Sequence, residues 1–418
     1  MLPILGFGPS TKRKPSYDSE STWKPTPNST TSSSMRWFDR TTIRYALLAL
    51  LGLALFLSVA TTAPAAFTAT SSHFRRPSYT VSPPVIDYKH LPTTFEIGMV
   101  ADLDKKSRVK GEAKPKFESI FQRAILKRHM DGSETSRSTD ELAASYSVTF
   151  RESETFSTTL NEAGRGFELS ELAWFQGHLH SFDDRTGIIY RLEHFTFNDP
   201  APMAAVPTHI IMEGNGATDK GQKHEWATVK NGELFVGSIG KEFTSDGAVV
   251  HENNMWVAVV GLHGAVRHED WTSRFAKVRA KLGCAYPGYV IHEAIEWSAV
   301  HQKWFLLPRR VSTEPYDDVA DEKRGANVMV IASEDFEELS VVYIGDGVVA
   351  KERGFSSFKF VPGTKDSVII ALKSTENDAL QLQGAYVTVF DVKGTVLMPE
   401  TPLPGQFKFE GLAFLYDY

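Results

Sequence analysis

The chain has 418 residues, 42% of them apolar and 23% charged, with a formal net charge of −6. That is enough for one large or two ordinary globular domains, and the mixed charges exclude the basic face that a nucleic-acid partner requires. A single cysteine, Cys284, excludes an intramolecular disulfide and a cysteine-based zinc site.

Residues 1–44 are a Ser-, Thr- and Pro-rich tail without apolar periodicity, the composition of a disordered segment. It holds one glycosylation sequon, Asn28-Ser29-Thr30. Tyr45 to Ala66 carries no charge and centres on ALLALLGLALFL at 46–57; at helical rise it would span roughly 33 Å, about a bilayer's hydrocarbon core. Seven basic residues precede it against three acidic ones. This bias predicts a single-pass type II signal-anchor with a cytosolic tail and a lumenal body on the secretory route. The alternative is a secreted protein cleaved near Ala65, after the small-residue run Ala63-Pro64-Ala65. Residues 67–92, with Pro77, Pro83, Pro84 and Pro92, read as an extended stem, which leaves 93–418 as the folded domain.

Phe95 to Ala101 reads as an apolar strand running into Asp102-Leu103-Asp104. In the charged segment that follows, Phe117 to His129 fits either a helix or a long hairpin. From Tyr146 onward the pattern is short strands separated by turns at Gly177, Asn231-Gly232, Pro362-Gly363 and Lys393-Gly394, with no long amphipathic helix. The stretch 164–187, GRGFELSELAWFQGHLHSFDDRTG, shows the unit: a strand from Leu172 to Phe175, a turn at Gln176-Gly177, a strand from His178 to Phe182, and a turn at Asp183-Asp184-Arg185. His178 and His180 share one strand face and read as a solvent-side pair, and Cys284 reads as inert.

The start of that unit recurs. Ser170, Glu225, Glu293, Ser356 and Glu410 each sit in one register ahead of a strand, 55, 68, 63 and 54 residues apart. These are somewhat longer than minimal propeller blades of about 40–50 residues, so the expected fold is all-β, a five-bladed β-propeller. The fifth repeat has only eight residues after Glu410, so its blade needs N-terminal strands to close it. Five inner strands would bring the five oxygens to one axis, where three carboxylates require a cation; an all-oxygen set suits calcium. Ordinary polar residues at strand starts give the same spacing.

These residues belong to a denser set of motifs: Ala101-Asp102-Leu103-Asp104 with Ser107-Arg108, GRGFELSEL (164–172), DDRTG (183–187), Glu225-Trp226, Gly240-Lys241-Glu242, Pro287-Gly288-Tyr289, Ile291-His292-Glu293, Leu307-Pro308-Arg309-Arg310, Lys323 to Asn327, GFSSFKF (354–360), Ala371 to Ser374 and Glu410-Gly411. Together and in order they resemble the calcium-activated nucleotidases of the apyrase type. The resemblance implies a five-bladed propeller with calcium in its tunnel, hydrolysis of nucleoside di- and triphosphates, here UDP and GDP with ADP and ATP as further substrates, and an anchored placement in the Golgi or endoplasmic reticulum membrane. It implies Ser170, Glu225, Glu293, Ser356 and Glu410 as calcium ligands, with Glu171 as a peripheral carboxylate. Asp102, Asp104 and Glu168 are the candidates for orienting or deprotonating water. Arg165, Arg309 and Lys359, backed by Lys241 and Arg310, are the candidates for gripping phosphate. Trp226, Trp256, Trp271 and Tyr289 are aromatic candidates for a base, most of them expected in the core. The sequence departs from the family's pattern at Thr196 to Pro207, at Gly237-Ser238-Ile239 and at Phe243. Rival readings are a calcium propeller hydrolysing lactones or phosphotriesters, which would show six blades and Asn ligands, and a non-catalytic binding propeller. The oligomeric state stays open.

Overall fold

A computed structural model describes residues 92–129 and 145–416, apart from 198, 246, 348, 378, 379 and 381. The predicted tail at 1–44, the predicted anchor at 45–66 and all of the predicted stem except residue 92 lie outside these residues. Among the described residues no helix is long and apolar enough to cross a membrane.

Five four-stranded antiparallel sheets form the fold. Strands β1 (Thr94–Asp102), β2 (Phe117–His129) and β3 (Ser145–Thr158) open the chain. The first blade is β4 (Leu169–Phe175), β5 (His178–Asp183), β6 (Ile188–Glu193) and β7 (Ala204–Ile210). The second is β8 (Trp226–Lys230), β9 (Glu233–Gly237), β12 (Trp256–Val260) and β13 (Val266–Asp270), interrupted by a two-stranded hairpin, β10 (Phe243–Ser245) and β11 (Ala248–His251). The third is β14 (Tyr289–Ser298), β15 (Lys303–Ser312), β16 (Val328–Ser333) and β17 (Leu339–Tyr343). The fourth is β18 (Arg353–Phe360), β19 (Val368–Asn377), β20 (Leu382–Asp391) and β21 (Val396–Pro402). The fifth is completed by both ends of the chain, in the order β22 (Lys408–Phe414), β1, β2, β3.

Local chemistry explains the turns. Gln176 (φ 53°) with Gly177 (φ 76°), and Asn231 (φ 54°) with Gly232 (φ 81°), are two-residue connections in which both central residues are left-handed, the turn whose twist matches that of paired strands. Burial falls outward across each blade: β22 is buried along its whole length and β4 nearly so, while β7 and β13 are largely half-buried or exposed. Inner strands covered on both faces read as near-continuous apolar runs, for the same reason that strands of any doubly covered sheet do.

The core is a set of layers between successive blades. Trp226, Trp271, Trp297 and Trp304 pack between the second and third, and Ile97, Leu126, Ile370 and Val387 between the fifth and fourth. Phe117 to His129 is one arm of a long hairpin, paired with β3 from Phe117↔Thr158 to His129↔Ser145. A ten-residue helix, α1 (Thr272–Lys281), stands between β13 and β14 and buries Phe275 and Val278 against the tryptophan layer, too short to be the long amphipathic helix whose absence was expected. Ring closure follows the expected route, with Ile97↔Phe414 and Val100↔Gly411 in register.

Candidate metal and catalytic site

Four of the five candidate ring positions coincide with a break in their inner strand, and the fifth stands just ahead of its strand. Ser170 is the unpaired residue between Leu169↔Asp183 and Glu171↔Phe182. Ser356 lies unpaired between Phe355↔Lys373 and Ser357↔Leu372, Glu410 between Ala101↔Phe409 and Val100↔Gly411, and Glu293 within the irregularity between His292 and Ile295. Glu225 stands immediately before β8, its amide donating to the Gly237 carbonyl at 2.8 Å. A bulge leaves one residue free of the ladder and re-aims the strand. The alternation of faces is thereby broken at the level where the blades meet.

The carboxylates of the three ring glutamates come together. Glu225, Glu293 and Glu410, from three different blades, each offer a carboxylate oxygen, and these oxygens all lie within 4.8 Å of one another. All three are buried. The two serines play a different part: Ser170 Oγ donates to the His224 carbonyl and Ser356 Oγ to the Phe409 carbonyl at 3.3 Å. Each hydroxyl holds the peptide just in front of a ring glutamate.

Burial pushes Glu293 up to about 7, against the pull of Arg309, and pushes Glu225 well above its ordinary range against Lys223. Arg309 Nη1 donates to Glu293, to Glu410 at 2.7 Å and to Ser374 Oγ at 2.7 Å. Gly354 makes room for this arginine, since a Cβ there would stand 2.5 Å from Arg309 Cγ and 2.6 Å from its carbonyl. Arg309 is therefore committed to the ring rather than held out to solvent.

A second acidic group sits beside the first. Asp102, Asp104 and Glu168 also place carboxylate oxygens within 4.8 Å of one another. Asp102 Oδ1 accepts the Asp104 amide at 2.8 Å, while Lys408 Nζ lies 2.6 Å from Asp102 Oδ2 and 3.1 Å from Asp104 Oδ2. Asp104 has φ 48°, a conformation that costs a non-glycine residue about 1–3 kcal/mol and is concentrated at functional sites. Burial and the neighbouring Asp104 push Asp102 well up, whereas Lys408 holds Asp104 down against its burial. Arg165 is bidentate to Glu168, with Nε to Oε1 at 2.9 Å, and stands 3.9 Å from Asp104. Burial raises Glu168 to about 7 despite that arginine. At 34% side-chain exposure, Arg165 still faces the mouth.

Other predicted residues lie elsewhere. Glu171 and Lys359 are not at the ring but below it: Glu171 Oε1 accepts from Ser357 Oγ at 2.8 Å, and Lys359 Nζ bridges Glu171 at 3.5 Å and Glu296, which accepts from Thr228. Burial pushes Glu171 up to about 8. Lys359 is thus enclosed between carboxylates, with no reach to the mouth. Lys241 and Arg310 lie to the side, Lys241 over the Tyr316 ring at 4.3 Å and Arg310 3.4 Å from Asp321. Asp183 to Arg185 braces the site: Asp183 accepts the amides of Phe167 at 2.7 Å and Arg185 at 3.0 Å. Trp226 and Trp271 are core, and so is His180, which corrects the solvent-side reading; only His178 is exposed. Burial lowers His180 to about 4.

Sequence reasoning missed Lys223, Lys408 and Glu376. Lys223 bridges Asp184 and Glu225, and Lys408 Nζ lies 3.6 Å from Glu376 and 3.8 Å from Glu410. A signal was present, because Lys223 and Lys408 each stand two residues before a ring glutamate. Even with these cations the two groups hold more acid than base. Buried carboxylates in excess require compensation, so the donor set fits a hard divalent cation.

The sequence profile of the Apyrase family matches residues 103–415. Apyrase apy-1 of Caenorhabditis elegans is 42% identical over 321 residues, covering 77% of this chain and 84% of the relative. Soluble calcium-activated nucleotidase 1 of Rattus norvegicus is 40% identical over 322 residues, covering 77% and 74%. An apyrase of Cimex lectularius is 36% identical over 338 residues, covering 81% and 86%. Because the profile match takes in strands of all five blades, and relatives of 36–42% identity cover about four-fifths of the chain, the chain belongs to the apyrase family.

Proposed function

We propose that this chain hydrolyses the terminal phosphoanhydride of nucleoside di- and triphosphates in a calcium-dependent reaction, with UDP and GDP as the substrates in the secretory pathway. The observation that carries this reading is the meeting of Glu225, Glu293 and Glu410 beside Asp102, Asp104 and Glu168. Family membership and the relatives' names support the activity and its calcium dependence. The uncharged run at 45–66 and the basic residues before it support the membrane-anchored, lumenal placement.

Glu225, Glu293 and Glu410 would hold the ion, with oxygens of Ser170 and Ser356 beside them. Bound there, calcium supplies charge neutralisation for phosphate oxygens and orients a water. The remaining work falls to the chain's own groups. Glu168, raised to about 7 by burial, accepts a proton from that water near neutral pH. Arg165, held by Glu168 through Nε and Nη2 but still 34% exposed, presents its remaining N–H groups to phosphate oxygens as charge builds on them. Lys408 keeps Asp102 and Asp104 close together despite their repulsion. Five blades rather than six distinguish the fold from the lactonase-type propeller.

Phosphate release from UDP, GDP, ADP and ATP should occur in millimolar calcium and stop in chelator; release that is indifferent to chelator, or none from any nucleotide, would refute the reading.

Stability should report the same chemistry. Glu168 and Glu293 near 7 and Glu171 near 8 all stand above the ordinary glutamate value of 4.5. The folded state holds these protons more tightly than the unfolded chain, so their contribution is full below pH 4.5 and is lost as pH rises through 7 and 8. Each costs on the order of 1 kcal/mol per pH unit over that window. In chelator, the thermal midpoint should therefore fall by several degrees between pH 6 and 8, and saturating calcium should flatten the fall by binding the ionised form. A midpoint rising with pH in chelator would contradict this.

A further inference from the structure

We propose that the connection between β1 and β2, residues 105–116, is an electrostatic approach surface for the substrate: its cations speed the arrival of polyphosphate at the acidic site, and speed a triphosphate more than a diphosphate. The inference rests on the hydrolytic reading above and adds to it how an anion reaches a largely acidic body.

Charge is divided unevenly along the chain. Residues 1–92 hold ten basic and four acidic side chains of a chain whose net charge is −6, which leaves −12 on residues 93–418. Residues 105–116, KKSRVKGEAKPK, hold six basic and one acidic side chain, or +5, so the rest of the folded domain carries −17. Negative charge on that scale slows the approach of an anion, and a cationic strip beside the mouth offers it a route.

Local structure holds the strip out in solvent. Arg108 bridges to Phe117 and the Val109 amide donates to the Lys116 carbonyl at 2.9 Å, so the segment folds back on itself, with Gly111 at φ 84° between the two arms. Lys105, Lys106, Arg108, Lys110 and Lys114 are exposed. Among the described residues no carboxylate pairs with any of the six cations, and Lys106 alone has a side-chain partner, Gln383 Oε1 at 3.3 Å. Cations that neutralise nothing within the fold keep their field for solutes.

The strip opens directly onto the site. It follows Asp104 in sequence, and Ser107 Oγ ties its base to the Gly166 carbonyl at 2.9 Å, one residue past Arg165. Lys105, Arg108, Lys110 and Lys114 line one hollow of about 280 Å³, and Lys105 and Lys106 line the next, of about 260 Å³, together with Asp104 and Arg165. Lys105 belongs to both, so the cations run without a break from the loop to the acidic group. A triphosphate carries one more unit of charge than a diphosphate whether or not each holds a calcium ion, and gains more from the same field.

Association is followed by stopped-flow fluorescence in millimolar calcium, with methylanthraniloyl esters of adenosine 5′-(α,β-methylene)diphosphate and adenosine 5′-(β,γ-methylene)triphosphate, whose terminal bridges resist cleavage. Wild-type association should slow roughly tenfold between about 20 and about 200 mM salt as the screening length shortens, and more steeply for the triphosphate. Replacing Lys105, Arg108, Lys110 and Lys114 together by Gln should slow association roughly tenfold at low salt, flatten the salt slope and leave dissociation unmoved. Lys105→Arg combined with Lys110→Arg and Lys114→Arg, which keeps the charge, should associate like the wild type. A wild-type rate indifferent to salt, a glutamine variant with the wild-type slope, or an arginine variant as slow as the glutamine one overturns the proposal. Absence of phosphate release alongside intact association would count against the hydrolytic reading alone, because association of these analogues needs no turnover.

Discussion

Deleting residues 409–418 should leave no cooperatively folding domain. The removed segment is most of β22, which pairs with β1 and lies against β4 and β18 at the centre of the ring. It takes Phe409, Leu412, Phe414 and Leu415 out of the core, each less than a tenth exposed. At about 1.5–3 kcal/mol per buried side chain this is roughly 6–12 kcal/mol, comparable to the whole stability of about 5–15 kcal/mol of a typical domain. The loss is not confined to one blade, because β1 would then present an open edge and the ring could not close. The check is thermal unfolding of the truncated chain by near-ultraviolet circular dichroism. A single sharp transition near that of the full chain would show that closure does not hold the fold together.

The second large effect is on activity. Glu225→Gln should lower phosphate release by roughly 10²-fold at fixed calcium and shift half-maximal activation to higher calcium, since carboxylate charge is what sets affinity for a hard cation. The substitution keeps the side chain's shape, and Lys223 retains Asp184 as a partner. The fold should therefore persist, with an unchanged far-ultraviolet spectrum. Partial rescue by raised calcium separates a weakened cation site from a damaged active site. An unaltered calcium dependence would mean that Glu225 does not hold the ion.

Much of the architecture was legible in the chain because its determinants are local or periodic. Gln176-Gly177 and Asn231-Gly232 carry the backbone preferences of their turns, and the five-fold register of Ser170, Glu225, Glu293, Ser356 and Glu410 follows from one inner strand per blade. The shortage of residues after Glu410 announced the pairing of β22 with β1. What was hidden depends on features that have no one-residue signature. Glu171 follows Ser170 directly, yet the bulge between Leu169 and Glu171 sends it to the level of Ser357 and Lys359 instead of to the ring. Lys359 and Arg309 both looked like phosphate-gripping cations by type. Only the packing shows that each is already enclosed by carboxylates. The helix at 272–281 escaped notice because it is short and buries only Phe275, Val278 and Arg279.

The layer formed by Glu171, Ser357, Lys359, Glu296 and Thr228 has one more effect. It joins the first blade to the fourth, which are not neighbours, so it crosses the axis and fills it with interlocked side chains. The tunnel is a well with a floor. Nucleotide in, and phosphate and shortened nucleotide out, then share the opening on the ring's side of that layer.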